Sequence, residues 1–446
     1  MTEIPSKAQR IGVASVFTRP RFIGSSRRRH VNRGLAPRLI AAGLFGALLG
    51  SCGGGGGSTT PPLTVTAETL YSFGGTSTDG MGPTGVLFQG NDGNFYGTTI
   101  SGGTGGGGTG DTGYTGNGTV FKITPMGEET VLHSFAGAPA DGNSPVVLIQ
   151  GSDGNLYGTT QLGGANNLGT VFKLTPEGVE TILYSFTGGS DGECPAGGLI
   201  QGSDGDFYGT TGCFGTGGYG TVFKLTPQGV ETTLYTFTGT TTSGPDGAIP
   251  FGQLVRGSDG NFYGVTAQGG LPCVPATVSS NATTCGTVFK VTPEGIETIL
   301  HRFSGPDGQN PIGLIQGSDG NFYGTTFGGN TNTTGGTVFS ITPEGVDTTF
   351  YTFATAQRDG DSPEAGLIQG SDGNFYGTAA GGGESNGGTM FQLTPAGVVT
   401  VLYSFPNSSS PETNLVQGSD ANLYGTAYRN GAYNRGYFYK LVLSSH

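Results

Sequence analysis

The stretch GSDGNFYGTT, from Gly317 to Thr326, decides the fold of this 446-residue chain, because close copies of it run along most of the sequence. Seven copies occur, and each is located here by the aspartate that it contains. A period of about fifty residues indicates one supersecondary unit per repeat, and therefore a propeller, a solenoid or an array. The aspartates are separated by 61, 51, 55, 60, 53 and 48 residues and are Asp92, Asp153, Asp204, Asp259, Asp319, Asp372 and Asp420.

One repeat, Pro311 to Phe353, divides into four short strands that we label a to d. Each is rich in β-branched and aromatic residues and is bounded by Gly, Pro or Asp, which predicts strands. Four antiparallel strands per repeat form the blade of a β-propeller, so we predict an all-β, seven-bladed propeller. The predicted strands are a, 313–317; b, 321–326; c, 336–343; and d, 346–353.

The Asp-Gly pair of each copy predicts a tight turn between strands a and b, because glycine adopts positive φ without steric cost. We therefore interpret the seven aspartates as structural turn residues. The last copy reads GSDANLYG, with Ala421 where the other copies have glycine. Alanine disfavours positive φ, so we expect a looser or different turn there.

The two ends of the repeated region complement each other. The chain stops after a seventh strand c, Gly436–Leu443, with no strand d behind it. An unassigned segment, Thr64–Phe73, resembles strand d of the other copies. We therefore expect it to be the outer strand of the last blade, which closes the ring and removes a free strand edge.

Residues 1–51 have the pattern of a lipoprotein signal peptide. A basic stretch precedes an apolar run, Leu39–Leu49, which is as long as a secretory h-region and short for a membrane span. The run ends in Leu49-Gly-Ser-Cys52, which resembles a bacterial lipobox and predicts lipid attachment at Cys52; a plain secretory peptide is the alternative. The Gly-rich residues 52–62 form a flexible tether to a propeller at 63–446. The residue after Cys52 is Gly53 and not the aspartate that resembles an inner-membrane retention signal, which favours the outer membrane or cell surface.

The charge of the exported part argues against one class of partner. Nine of the 19 Lys and Arg residues but only one of the 31 acidic residues precede Cys52, which leaves a net charge of about −20 behind it. Such a surface repels phosphates, so nucleic acid is not an expected ligand. We expect a monomer that contacts the membrane through its lipid.

Four cysteines follow Cys52, and an even number in an exported chain predicts disulfides. Cys194 and Cys213 fall in loops on the same face of the third blade, so we expect them to pair. Cys273 and Cys285 both lie in a long loop of the fourth blade and would close it. Zinc is the alternative, but the spacing lacks CxxC pairs and no histidine lies nearby.

A second motif, Asp-Gly-x-x-Pro, joins strand d of one blade to strand a of the next. We interpret its aspartates as acceptors of backbone N–H groups in a turn, with calcium carboxylates as the alternative. No other cofactor is expected. The seventh junction, Pro406–Pro411, lacks the motif; the six that carry it contain Asp79, Asp141, Asp191, Asp246, Asp307 and Asp359.

The combined pattern GLIQGSDGNFYGTT…GGTVFKLTPEGVETTLYSF resembles the bacterial GloVer (Gloeo/Verruco) tandem repeat family over residues 64–446. That resemblance implies a surface-anchored propeller with no assigned activity. A looser resemblance is to virginiamycin B lyase, which implies a histidine base and a metal-binding acid in a central face. Here His133 and His301 lie in strand d, at an outer position where other copies carry tyrosine.

We expect function on the face formed by the b–c and d–a loops, because these loops vary whereas the a–b and c–d turns repeat. The first hypothesis is a non-enzymatic surface module that binds glycan or protein or has a purely structural role. The alternative is a polysaccharide lyase or hydrolase that uses acids of the same face, such as Asp111, Glu193, Asp361 and Glu384. Aromatic residues outside the repeat are the candidate ligand contacts: Tyr114, Phe214, Tyr219, Phe327, Tyr428 and Tyr433.

Overall fold

The computed structural model describes residues 63–445 except 106–114, 213–217, 240–245, 274–283, 330–333, 355–358 and 407. These residues form 29 strands in seven antiparallel sheets, and no helix occurs among them. The described part of the chain accordingly holds no helix that is long and apolar enough to cross a bilayer. The fold is the predicted seven-bladed β-propeller.

Each sheet is one blade, with its strands in the order a, b, c, d. Neighbouring a strands contact one another, as β11 and β15 do, which places this edge of each blade toward the axis of the ring. In the first blade strand a is split into two short pieces, β2 and β3, that both pair with β4. The strands of blades one to three are β2 Gly80–Pro83, β3 Phe88–Gln89, β4 Phe95–Gly102, β5 Thr119–Ile123, β6 Glu129–Ser134, β7 Gly142–Gln150, β8 Leu156–Gly163, β9 Thr170–Leu174, β10 Glu180–Ser185, β11 Leu199–Gln201, β12 Phe207–Thr211, β13 Thr221–Leu225 and β14 Glu231–Thr236.

The remaining four blades follow the same order. The strands of blades four to six are β15 Ala248–Arg256, β16 Phe262–Gln268, β17 Thr287–Val291, β18 Glu297–Arg302, β19 Gln309–Gln316, β20 Phe322–Gly328, β21 Thr334–Ile341, β22 Asp347–Ala354, β23 Ile368–Gln369, β24 Phe375–Ala379, β25 Thr389–Leu393 and β26 Val399–Ser404. The seventh blade consists of β27 Val416–Gln417, β28 Leu423–Ala427, β29 Tyr437–Ser445 and, from the other end of the sequence, β1 Leu63–Ser72.

The ring closes as predicted, because β1 pairs with β29 as the outer strand of the seventh blade. The Thr64 hydroxyl lies 2.9 Å from the Ser444 hydroxyl, and the Phe73 N–H donates to the Gly436 carbonyl at 2.9 Å. The two contacts lie near opposite ends of β1 and bracket the pairing. Residues about 370 positions apart in sequence thus complete one sheet.

The repeated aspartate holds the a–b turn through one hydrogen-bond pattern. In the fifth blade, Asp319 accepts from the Asn321 N–H at 3.1 Å, from the Asn321 amide at 2.8 Å and from the Tyr323 hydroxyl at 2.8 Å. Partial burial raises the pKa of Asp319, but the hydrogen bonds from Tyr323 and Asn321 outweigh it and hold that pKa below its ordinary value. The carboxylate therefore ties its turn to the following strand b.

The expectation of a different turn at Ala421 is wrong. Ala421 has φ +65° and donates its N–H to Gly418 at 2.9 Å, just as Gly320, with φ +87°, donates to Gly317 at 3.0 Å. A left-handed alanine costs roughly 1–2 kcal/mol. Asp420 offsets this cost, because it accepts from the Tyr424 hydroxyl at 2.9 Å and from the Lys440 ammonium at 2.8 Å.

The same phrase also joins each blade to the next. The strand-b tyrosine of one blade stacks on the strand-b phenylalanine of the following blade, with ring centroids 3.9 Å apart for Tyr263 and Phe322. The turn N–H of Ser258 donates to the Gln316 side chain of the next blade at 2.9 Å. Equivalent contacts, Tyr424 with Phe95 and Ser419 with Gln89, join the seventh blade to the first.

Glycines are required where backbones of adjacent blades approach closely. A Cβ on Gly178 in a c–d turn would lie 2.4 Å from the Leu132 carbonyl oxygen of the preceding blade. A Cβ on Gly118 at the start of strand c would lie 2.5 Å from the ring of Pro145, which belongs to the Asp-Gly-x-x-Pro segment of the next blade. The hydrophobic core follows the same plan: a typical cluster joins Tyr96 and Val120 of one blade to Leu148 of the next.

Candidate functional site

The d–a and b–c loops lie together on one face, as expected, and backbone hydrogen bonds join them across blade boundaries. The Ser144 N–H donates to the Asn117 carbonyl at 2.9 Å, and the Ile249 N–H donates to the Tyr219 carbonyl at 2.8 Å. Each donor precedes the motif proline and has positive φ, +56° for Ser144 and +57° for Ile249. Such a conformation is rare for a β-branched residue, so the ring of junctions stores backbone strain on this face.

The Asp-Gly-x-x-Pro aspartates accept backbone N–H groups in their turns. Asp191, for example, accepts from the Thr187 N–H at 2.7 Å and the Gly189 N–H at 3.1 Å. It also accepts from the hydroxyl of Tyr184, near the end of strand d, at 2.9 Å. These contacts give the aspartate a structural role whether or not a cation also binds.

An acidic residue at the start of the next blade's strand d completes a three-residue cluster, which we call a junction triad. Each triad combines a tyrosine or histidine of one blade, the motif aspartate, and a glutamate or aspartate of the following blade. Because its members come from two blades, a triad forms only when those blades pack together. The five triads are Tyr71–Asp79–Glu129, His133–Asp141–Glu180, Tyr184–Asp191–Glu231, Tyr235–Asp246–Glu297 and His301–Asp307–Asp347.

The acid that completes a triad holds its proton unusually well. Burial, followed by the nearby charge of Asp79, raises the pKa of Glu129 to about 7. Burial and Asp246 raise the pKa of Glu297 to about 7 in the same way. One oxygen of each glutamate is buried without a hydrogen-bond partner. Two carboxylates therefore share a partly buried site, and the glutamate keeps its proton to a higher pH than an ordinary carboxyl does.

Two junctions depart from this plan. Between the fifth and sixth blades Val399 stands at the position of the acid, and between the sixth and seventh blades the motif aspartate is missing as well. Tyr403 occupies the tyrosine position, but the loop Pro406–Pro411 carries no aspartate and Ala67 stands at the position of the acid. A cleft of about 190 Å³ opens there. It is lined by Ala67, Glu68, Thr69, Tyr403, Phe405, Pro406, Asn430, Gly431, Tyr437 and Tyr439.

The cleft combines aromatic walls with hydrogen-bonding groups. Phe405 packs edge-on against Tyr403, with ring centroids 5.0 Å apart, and against Tyr439 at 5.1 Å. The Asn430 amide lies at the rim and donates to the Ser409 hydroxyl at 3.3 Å. Burial raises the pKa of Tyr437 to about 12, so its phenol stays neutral. An aromatic slot with a few polar groups, here including the carboxylate of Glu68, is the usual design of a small-ligand site.

Of the six aromatic residues proposed from the sequence, two belong to the loop that supplies Asn430 and Gly431 to the cleft. Tyr433 in that loop is 54% exposed, and Tyr428 is half-buried with the Arg429 guanidinium 5.8 Å from its ring centroid. Tyr219 packs into an interblade core cluster, and Phe327 is a half-buried residue of β20. Tyr114 and Phe214 lie outside the described residues. The four described residues therefore lie in three different loops or strands, and a role in ligand contact stays a prediction for all six.

The cysteines have mixed outcomes. Cys273 and Cys285 form the predicted disulfide, with Cα atoms 5.3 Å apart. Cys194 is buried and forms no disulfide with any cysteine that the structure describes, and its expected partner Cys213 lies outside the described residues. The pairing of Cys194 with Cys213 stays a prediction.

The acids considered for catalysis are spread over different loops. Glu193 lies in the loop that enters the third blade, and Asp361 in the loop that enters the sixth. Burial raises the pKa of both carboxyls above their ordinary values. Glu384 is exposed in the b–c loop of the sixth blade, and Asp111 lies outside the described residues.

The fold defines the class of protein: a β-propeller whose seven blades are copies of one repeat. Residues 109–272 and 274–446 match the family described as the Gloeobacter/Verrucomicrobia repeat. The matched ranges cover well over half of the chain, and the protein belongs to this family. A search of curated proteins gave no match.

Solved propellers share the fold at low sequence identity. A streptogramin B lyase structure has a TM-score of 0.57 and 15% identity, over 85% of this chain and 98% of that one. Virginiamycin B lyase from Staphylococcus aureus has a TM-score of 0.56 and 15% identity, over 86% and 100%. An extracellular domain of a hybrid two-component system from B. thetaiotaomicron has a TM-score of 0.50 and 13% identity, over 84% and 41%. At this identity the likeness concerns the fold alone.

The junction triads predict a specific pH dependence. The folded-state pKa of Glu129, about 7, lies above its ordinary value of 4.5, so the folded protein holds an extra proton between these values. Stability should therefore fall as the pH rises from 4.5 to 7 and level off above that. We expect Glu129→Gln, whose amide can replace the protonated carboxyl, to raise the urea midpoint at pH 8 and to match the parent at pH 5. The exposed neighbour Glu128→Gln is the control, and an equal effect of both substitutions at pH 8 would count against the triad.

Proposed function

We propose that the protein is an exported, lipid-anchored propeller that binds the end group of a glycan on its loop face. The lipobox at Cys52 and the Gly-rich tether support anchoring outside the cytoplasm. The resemblance in fold to an extracellular domain of a hybrid two-component system is consistent with that location. The tether would leave the propeller free to turn its loop face toward a ligand.

The observation that carries the binding proposal is the cleft between the sixth and seventh blades. Elsewhere the repeated side chains are engaged in packing one blade on the next. At this junction the aspartate is missing and Ala67 replaces the acid, so that Tyr403 faces a cleft. At about 190 Å³ the cleft is smaller than the roughly 300–1,000 Å³ of drug-sized sites, which favours a single ring.

A neutral sugar ring suits the chemistry of this cleft. Its apolar face can pack against Tyr403 and Tyr437, which line the cleft, while its hydroxyls can pair with Glu68 and the Asn430 amide. A strongly anionic ligand would be repelled by the net negative charge of the exported part. We therefore propose a binding function. The glycan experiment below also detects turnover, which would support an enzyme instead.

The binding proposal predicts that one substitution at the cleft mouth abolishes glycan recognition. Ala67 is exposed on β1, so Ala67→Trp should fill the cleft without disturbing the core. Thr181→Trp places the same side chain on an exposed position of β10, away from the cleft. On a glycan array the parent and Thr181→Trp should bind the same glycans, and Ala67→Trp should lose at least tenfold in affinity.

Equal binding by all three proteins would place the ligand elsewhere on the propeller, and no binding by any would refute the proposal. Release of products from the bound glycan by the parent protein would instead support the hydrolase or lyase alternative. A peptide array run in parallel separates a protein ligand from a glycan.

Lipid anchoring predicts that Cys52 carries the acyl groups. In a Gram-negative host fed an alkyne fatty acid, the parent should be labelled and recovered with membranes. Cys52→Ser should lose the label, whereas Cys194→Ser should keep it. An unlabelled parent protein in the soluble fraction would leave a plain secretory peptide as the explanation of the leader.

A further inference from the structure

Two histidines of the propeller, His133 and His301, lie at equivalent positions in different blades. His133 in β6 and His301 in β18 each stand two residues before the buried phenylalanine that ends strand d. Other blades carry tyrosine at this position, as in Tyr184. Each imidazole also packs edge-on against that phenylalanine, with ring centroids 4.7 Å apart for His133 and Phe135. The ring orientation is therefore fixed by the blade core.

In the first histidine triad, three metal-ligand atoms converge from two blades. His133 Nε2 lies 3.4 Å from Asp141 Oδ2, and a Glu180 oxygen completes a set whose atoms all lie within 4.8 Å of one another. Asp141 is held in place by the N–H groups of Ala136 and Gly142, both at 2.6 Å. The backbone thus holds the aspartate of the site in position before any ion binds.

Two polar atoms of this triad have no hydrogen-bond partner in the described part of the chain. His133 Nε2 and Glu180 Oε1 are both buried and make no hydrogen bond. The 3.4 Å approach of His133 Nε2 to Asp141 is an ion-pair distance whose geometry does not satisfy a hydrogen bond. Two atoms bound to a tetrahedral zinc at about 2.0–2.2 Å lie roughly 3.3–3.5 Å apart, which is the separation seen here.

The second histidine triad brings the same three kinds of ligand together across the fourth and fifth blades. Here His301 Nε2 is hydrogen-bonded to Asp307 Oδ2 at 2.8 Å, so an ion would replace this hydrogen bond, and Asp347 supplies the acid. Asp307 is again fixed by backbone groups, the N–H of Ser304 at 2.9 Å and of Gly305 at 3.1 Å. Asp347 Oδ1 is buried without a partner.

Comparison with the tyrosine triads shows what histidine adds, which is a nitrogen that can bind a metal ion. At a tyrosine junction the phenol donates its proton to the aspartate, as Tyr184 does to Asp191 at 2.9 Å. A neutral phenol is a poor metal ligand, whereas a neutral imidazole nitrogen is a common one. Histidine thus places one nitrogen beside two carboxylates, a set of ligand atoms that the tyrosine junctions lack.

We propose that His133–Asp141–Glu180 and His301–Asp307–Asp347 each bind one divalent ion of the zinc class, tying together the outer strands of adjacent blades. One imidazole and two carboxylates are ligands that zinc accepts, and a fourth position stays open to water. The sites lie on outer strands, so their role is to join blades and not to act on a ligand at the axis.

Zinc titration of the full-length chain, cleared of metal with a chelator, tests the proposal. The parent should bind two equivalents of Zn²⁺ and melt at a higher temperature in its presence. His133→Tyr and His301→Tyr should each bind one equivalent, and the double variant none. The double variant should fold, because tyrosine occupies this position in other blades. Tyr184→His, with Asp191 and Glu231 already in place, should add a third equivalent.

The proposal is overturned if the parent binds no more zinc than the double variant, because Cys194 or the leader would then be the source. Calcium is the control ion, because it prefers oxygen ligands and could bind the clustered carboxylates without the imidazole nitrogen. Calcium that raised the melting temperature of the parent and the double variant equally, with zinc giving no difference, would also overturn it. The gain expected from Tyr184→His does not depend on the folding of the double variant.

Discussion

The pairing of β1 with β29 is the constraint on which the rest of the structure depends. Each blade covers its apolar faces only with its two neighbours, so a chain of seven blades would leave two blades half-covered. The N-terminal strand completes the seventh blade, and Tyr424 of that blade then stacks on Phe95 of the first. Closure therefore turns a row of marginal sheets into a ring in which every blade is covered on both sides.

Within the ring, the repeated residues act between blades more than within them. The turn aspartate orients a tyrosine that stacks on the next blade, and the motif aspartate collects a tyrosine or histidine and an acid from two blades. Positions that depart from the repeat are therefore the informative ones. The replacement of an acid by Ala67 opens a cleft, and the replacement of tyrosine by His133 or His301 supplies a metal ligand.

The architecture and its closure followed from the sequence because each repeat carries the same local signals, and Thr64–Phe73 resembles strand d directly. The triads did not, because the completing acid lies about 40–60 residues beyond the other two members and meets them only when adjacent blades pack. A signal for the cleft was nevertheless present: aligning Ala67 with Glu180 reveals the missing acid. The expectation for the turn at Ala421 was wrong because the φ preference of alanine alone does not decide the turn, which Asp420 also holds through its hydrogen bonds.

The most direct test of closure compares a chain that begins at Leu63 with one that begins at Phe73 and so lacks β1. The account predicts that the shorter chain unfolds at a much lower urea concentration, because the edge of β29 and the aromatic wall at Tyr437 lose their cover. It also predicts that a synthetic peptide of residues 63–72 restores the midpoint. An unchanged midpoint in the shorter chain would contradict the account.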